Sequence, residues 1–188
     1  MRRLCSDLVR RVDALGHIDL SLVAITVTQA RKNVAHGMQA SLTPLRFESG
    51  RETLLRGGRH YRVESVLRPD GEEFLYLLTF FLPRFLDQSF EEKLTTVVHE
   101  LWHISPRCDG DLRRHNGRCY AHGSSQRVYD AHAAALARRW LSLDAPFHLY
   151  SFLQCSFDDL QREYGAVTGQ RIRAPRVLVV EDPPVNCP

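Results

Sequence analysis

The chain has 188 residues and a mass of 21.6 kDa, with 25 Lys and Arg against 22 Asp and Glu and a hydrophobic fraction of 44%. That length and composition suit one compact domain with a sizeable core and exclude disordered, collagen-like and low-complexity classes. A net charge of +3 is too near balance to argue by itself for a nucleic-acid or membrane-surface partner, and the one compositional oddity is the nine histidines.

Residues 1–16, MRRLCSDLVRRVDALG, place Leu4, Leu8, Val12 and Leu15 at helical spacing, with Gly16 as the stop. Arg and Asp interrupt every apolar stretch there, so no secretory core is read. Extended segments are expected at 22–28 (LVAITVT), 41–47 (SLTPLRF), 60–67 (HYRVESVL) and 73–81 (EFLYLLTFF). They are rich in β-branched and aromatic residues, and Gly57-Gly58 and Pro69-Asp70-Gly71 mark turns. Together they suggest a small, mostly antiparallel meander. The apolar run at 74–83 is far short of the ~20 residues of a membrane-spanning helix, so a cytoplasmic protein is expected. Cys5, Cys108, Cys119, Cys155 and Cys187 are odd in number, scattered and without a CxxC pair, which favours free thiols.

Asp87-Gln88-Ser89-Phe90-Glu91-Glu92 announces a helix: Ser89 caps the first amides, Glu92 reaches back three residues later, and Pro106 ends the run after about Ile104. A loop rich in Arg, Gly and Asp follows over 105–124. The alanine run within 125–142 predicts a second strong helix, and a shorter one is expected over 147–164. The tail holds a strand at 176–180 and a Pro-rich end expected to be loose. The whole reads as an α+β domain over 1–188, with its core over about 1–165 and a tail at 166–188.

Within the capped helix stands His99-Glu100-Leu101-Trp102-His103, an HExxH motif. Residues four apart on a helix lie one turn above each other, so the two imidazoles meet at one point, as tetrahedral zinc requires. Glu100 flanks them, placed to contact a metal-bound water rather than the metal. By chance alone such a motif arises in about one chain in fifty of this composition. At ~100° per residue, however, Phe90, Leu94, Val97, Leu101 and Ile104 form one apolar stripe, and both histidines face away from it. A third protein ligand is needed. No glutamate occurs between Glu100 and Glu163, and the compact HExxHxxGxxH arrangement is absent, since Cys108 and Asp109 stand in its place. The choice falls on His115, His122, His132 or His148, or on an aspartate such as Asp130.

His99-Glu100-Leu101-Trp102-His103-Ile104-Ser105-Pro106, followed by Asp109-Gly110-Asp111, Gly117-Arg118, His122-Gly123 and Tyr129-Asp130, resembles the phage-type metallopeptidases, relatives of the SprT/Spartan-like zincins. The resemblance covers about 89–140. It implies a zincin-like fold: an N-terminal helix, a small sheet, the HExxH helix and following C-terminal helices. In SprT-like proteins a His-Gly pair after the loop supplies the third zinc ligand, which here implies His122, with His115 as its rival. The loop from His103 to His122 is longer than in SprT, the aromatic that often follows the His-Gly pair is missing, and no CxxC…CxxC ribbon follows.

The expected function is a zinc-dependent metallopeptidase that cleaves peptide or amide bonds by a metal-activated water with Glu100 as general base. Tyr120, Tyr129, Arg127 and His132 are candidates for the oxyanion, and Asp109, Asp111 or Asp130 for the outer nitrogen of a ligand imidazole. The alternative is a non-catalytic zinc-containing binding protein on the same scaffold. Arg107, Arg113, Arg114, Arg118, Arg127, Arg138 and Arg139, with Tyr120 and Trp140 interleaved, admit a nucleic-acid partner, though solvated charge explains them as well. A protein or peptide substrate is expected, and no membrane partner.

Overall fold

The computed structural model describes residues 1–30, 37–115, 121–122 and 125–180. It is a mixed α/β structure with two three-stranded sheets and five α-helices among the described residues. Helix α1 (Arg2–Arg11) opens the chain, and Leu4 and Leu8 are fully buried. It ends at Arg11, five residues before the expected stop, because Val12 turns extended; a 3₁₀ turn at Asp13–Leu15 then carries Leu15 back into the core.

The first sheet contains β1 (Val23–Gln29), β2 (Ala40–Pro44) and β5 (Tyr76–Leu82). The second contains β3 (Thr53–Arg56), β4 (Arg59–Val63) and β6 (Val177–Val180). The expectation of a single antiparallel meander is therefore corrected. β5 lies between β1 and β2, parallel to β1 from Val23↔Tyr76 to Gln29↔Leu82 and antiparallel to β2 from Ala40↔Phe80 to Pro44↔Tyr76. The reason is its composition. YLLTFFL is apolar at nearly every position, whereas a meander edge would leave one face in water; only a central place buries Tyr76, Leu77, Leu78 and Phe80 together. β3 was not expected from the sequence. It pairs with β4 across Gly57-Gly58, whose φ angles of 57° and 72° are those of a tight primed hairpin turn. The tail strand β6 adds to β4, and before it the chain runs along β1, where Val27 N–H donates to Gln170 O at 3.0 Å. The Pro-rich end, Cys119 and Cys187 fall outside the described residues; Cys5, Cys108 and Cys155 are free thiols.

Helix α2 (Phe90–Trp102) starts on the expected capping box: Ser89 Oγ accepts from Glu92 N–H, and Ser89 N–H donates to Glu92 Oε2 at 2.9 Å. Its apolar stripe, Leu94, Val97, Val98 and Leu101, is buried against the sheet. Helix α3 (Gln126–Leu141) packs on it and buries Tyr129, Ala133, Ala137 and Trp140. The expected helix at 147–164 is split into α4 (Phe147–Tyr150), a 3₁₀ turn at Ser151–Gln154 and α5 (Phe157–Tyr164), because Ser156 and Asp159 build a second capping box that starts a new helix. Lys93 is buried on α2, and its ammonium donates to Leu153 O and Cys155 O at 3.0 and 2.7 Å, binding that turn to the helix. No helix among the described residues is long and apolar enough to cross a membrane.

Asp7, on the buried face of α1, accepts from Trp140 Nε1 at 3.0 Å and pairs with Arg10 and Arg11 at 2.7 Å, tying α1 to α3. Burial pushes its carboxyl up, but these three donors outweigh it and hold the pKa below the usual range. The folded state therefore prefers the ionised form. Its contribution is complete above about pH 4 and is lost as the pH falls through the lower folded value. Asp7→Ala is expected to cost about 3 kcal/mol in urea unfolding at pH 7, because the Trp140 N–H and the guanidiniums lose their buried acceptor; the difference from wild type should shrink below pH 4.

Candidate metal centre

Helix α2 sets the first two histidines one turn apart. Their Nε2 atoms are 3.1 Å from each other, near the ~3.3 Å separation that tetrahedral angles and zinc–nitrogen bonds of 2.0–2.1 Å imply. His122 completes the group, and one ligand atom from each of His99, His103 and His122 lies within 4.8 Å of the others. The His122 ring is 5.4 Å from that of His99 and 4.9 Å from that of His103, and its buried Nε2 has no hydrogen-bond partner. These three can hold a metal ion. His122 must move inward by about 1 Å or more to share a tetrahedral ion, since its ligand atom lies outside the ideal separation. Between the two candidates left by the resemblance, the converging one is His122. His115 is not in the group, although its ring lies 5.6 Å from that of Tyr129 and its Nε2 is also buried without a partner.

The outer nitrogens of the two helix-borne imidazoles are both engaged from α3. His99 Nδ1 is 2.9 Å from Asp130 Oδ1, and His103 Nδ1 is 3.1 Å from Tyr129 Oη. With Nδ1–H donating to these oxygens, both Nε2 lone pairs face the same point. Two lone pairs at this distance repel each other unless a cation lies between them. Burial, with the neighbouring His99, His122, His115 and Arg113, lowers the His103 pKa to about 3, and burial also lowers that of His99. Both are thus neutral near pH 7, the form in which imidazole binds metal.

Asp130 is the carboxylate that reaches a ligand ring. Asp109 and Asp111 are used inside the loop: Asp109 accepts from Ser105 Oγ at 2.6 Å and from Arg107 Nε at 2.9 Å, and Asp111 pairs with Arg114 at 2.9 Å. The loop folds back on the helix end. Arg113 N–H donates to His103 O at 2.6 Å, Arg113 Nε donates to Trp102 O at 2.9 Å, and its guanidinium stacks 3.7 Å from the Trp102 ring centre. Tyr76 Oη donates to Asp111 O and accepts from Gly110 N–H, both at 2.9 Å. At Gly110, with φ of 89°, a Cβ would stand 2.5 Å from Arg46 Cγ, so no larger residue fits there.

Glu100 lies beside the histidines and is 8% exposed. Burial pushes its carboxyl up to about 7, against a lowering hydrogen bond from the Leu42 backbone N–H on β2. The site opens into a cleft of about 590 Å³ between the free edge of β2 and the exposed face of α2, bordered by Ser41, Thr95 and Thr96 as well as the three histidines and Glu100. Of the oxyanion candidates, Tyr129 is turned to His103, and His132 lies tilted against Trp102 with ring centres 4.6 Å apart. Arg127 is exposed near the start of α3, and none of the three borders the cleft. Tyr120 lies outside the described residues, as do Gly117, Arg118 and Gly123. Arg107, Arg113 and Arg114 are taken up by contacts within the chain, which weakens the sequence argument for a nucleic-acid surface there; Arg138 and Arg139 are exposed on α3.

Two features of the site have no counterpart in the sequence expectations. The β2 edge carries no motif, and Tyr129, a candidate for the oxyanion, is instead a partner of His103. The spacing Gln126, Tyr129, Asp130, Ala133 is one helical face, and it was the available signal that Tyr129 and Asp130 act from the same side. No family model, curated protein or solved structure matches the chain.

Asp130→Ala is expected to weaken zinc affinity by about 10- to 100-fold, measured by competition with a chromophoric chelator, while His103→Ala abolishes stoichiometric binding. A pH effect follows from His103. Below its ordinary value of 6.5 the unfolded chain takes up a proton that the folded, metal-free chain resists until about 3. The metal-free protein should therefore lose stability as the pH falls from 6.5. His103→Gln should flatten that part of the melting temperature against pH curve.

Proposed function

We propose that the chain is a zinc-dependent metallopeptidase of the SprT-like zincin type, with His99, His103 and His122 as ligands and Glu100 as general base. The observation that carries this reading is the pair of imidazole Nε2 atoms 3.1 Å apart with both outer nitrogens engaged, beside a buried carboxyl at the edge of a cleft. The three rings fit zinc by donor type, by neutral charge state and by the unpartnered Nε2 of His122. A zinc ion bound there supplies Lewis acidity toward a carbonyl and acidifies a water.

The remaining chemistry belongs to the chain. Glu100 sits on the same helical turn as the ligands, and a carboxyl near 7 is matched to taking a proton from water and returning it to a leaving amine at neutral pH. Among the described residues, β2 pairs with β5 on one side only, so its other edge offers backbone groups to an extended peptide lying along the cleft. This supports a protein or peptide substrate over a small amide. Closed structural zinc sites use four protein ligands, and among the described residues the cluster has three.

Glu100→Gln is expected to keep about one zinc per chain while lowering peptide hydrolysis by at least ~10²-fold, scored on unfolded proteins and a peptide library. Removing zinc with a chelator should abolish turnover, and stoichiometric zinc should restore it. Zinc-loaded wild type without turnover on any such substrate would favour the non-catalytic zinc-containing scaffold instead.

A further inference from the structure

Among the described residues, the hairpin of β3 and β4 carries charge that has no acidic partner. Register sets Arg56 directly opposite Arg59 across Gly57-Gly58, and both are exposed. Like charges facing each other across a strand pair are destabilising. Nearby arginines have acidic partners: Arg62 faces Glu73, and Arg173 and Arg176 face Glu64. Among the described residues, the side chains of Arg56 and Arg59 make no hydrogen bond or ion pair.

The pair borders a cavity. Strand alternation puts Leu54 and Tyr61 on the same face, one step along from the arginines. With Phe47 and Val177 they line a cavity of about 590 Å³ that, among the described residues, has no carboxylate in its lining and shares no residue with the cleft beside the histidines. The volume lies within the ~300–1,000 Å³ of small-molecule sites.

We propose that this cavity binds a nucleoside monophosphate, with the phosphate between Arg56 and Arg59 and the base against Tyr61. Two guanidiniums supply two positive charges and parallel donors, which match a phosphate dianion. An inorganic anion would answer the charge but leave the apolar and aromatic lining uncovered. A planar base covers it, because the face of a tyrosine ring accepts stacking from any base. A neutral or cationic ligand would leave the facing arginines as they are.

Titration calorimetry with AMP, inorganic phosphate, adenosine and a single-stranded oligodeoxyadenylate tests this on the full chain. AMP should bind once per chain, at least about tenfold more tightly than phosphate or adenosine. The double substitution Arg56→Ala and Arg59→Ala should weaken it at least about tenfold without lowering the melting temperature, since it removes an exposed like-charge pair. Tyr61→Leu should weaken AMP but not phosphate. Any of the following overturns the proposal: no AMP binding tighter than about 10 mM, equal affinity for phosphate, affinity unchanged in the double variant, or binding by the oligonucleotide alone. Binding that disappears when zinc is chelated would place the phosphate on the metal and overturn it too.

Discussion

The imidazoles of His99 and His103 are aimed at one point from successive turns of a helix, with nitrogens 3.1 Å apart. Much of the surrounding architecture serves to hold them there. Neither ring sets its own orientation: Asp130 holds one and Tyr129 the other, and both belong to α3. The packing of α3 on α2 is therefore a condition of the site. That packing places α3 residues against both ligand rings, and it brings in His122 just ahead of α3. Removing the contact would leave two helical histidines free to rotate apart and the third with nothing to approach.

The rigidity of α2 is secured at each end by different means. At the start, Ser89 and Glu92 satisfy free amides through the capping box. At the finish, Arg113 binds the carbonyls of Trp102 and His103 and stacks on the Trp102 ring, which keeps the last turn wound and anchors the loop that leads on to His122. Between them, Lys93 reaches the 3₁₀ turn before α5. The Arg113 and Lys93 side-chain contacts are buried or half-buried and reach residues well removed in the chain, whereas the capping box is local and exposed.

The sheet sets the other wall of the cleft. β5 takes the centre because its side chains are apolar on both faces, and this leaves β2 at the edge, next to Glu100. The Leu42 N–H then points at the carboxyl rather than at another strand. The same enclosure raises the carboxyl's pKa, since burial removes the water that would stabilise its charge. The strand order and the environment of Glu100 are thus one effect: a meander with β2 in the interior would have placed no free backbone edge over α2.

Local patterns in the sequence carried much of this. The capping box, the HExxH spacing and the apolar stripe of α2 each act within two turns of helix, so periodicity alone determined that His99 and His103 share a face and that Glu100 flanks them. The split of the 147–164 segment is also written locally, in Ser156 and Asp159, within a longer helical pattern that masks it. Contacts between residues far apart in the chain were not legible. That β5 inserts between β1 and β2 depends on which strand can be buried on both faces, that Asp130 rather than Asp109 or Asp111 reaches His99 depends on how α3 packs on α2, and the loop of Asp and Arg residues that folds onto Tyr76 and the end of α2 precedes His122, which converges on the pair where His115 does not. Such choices are settled by which buried polar groups find partners when the whole core closes, and no spacing along the chain records that. The sequence by itself determined that two histidines and a glutamate share one turn of one helix; the tertiary structure decided the third histidine of the group, the partners that orient the rings and the strand edge that borders the cleft.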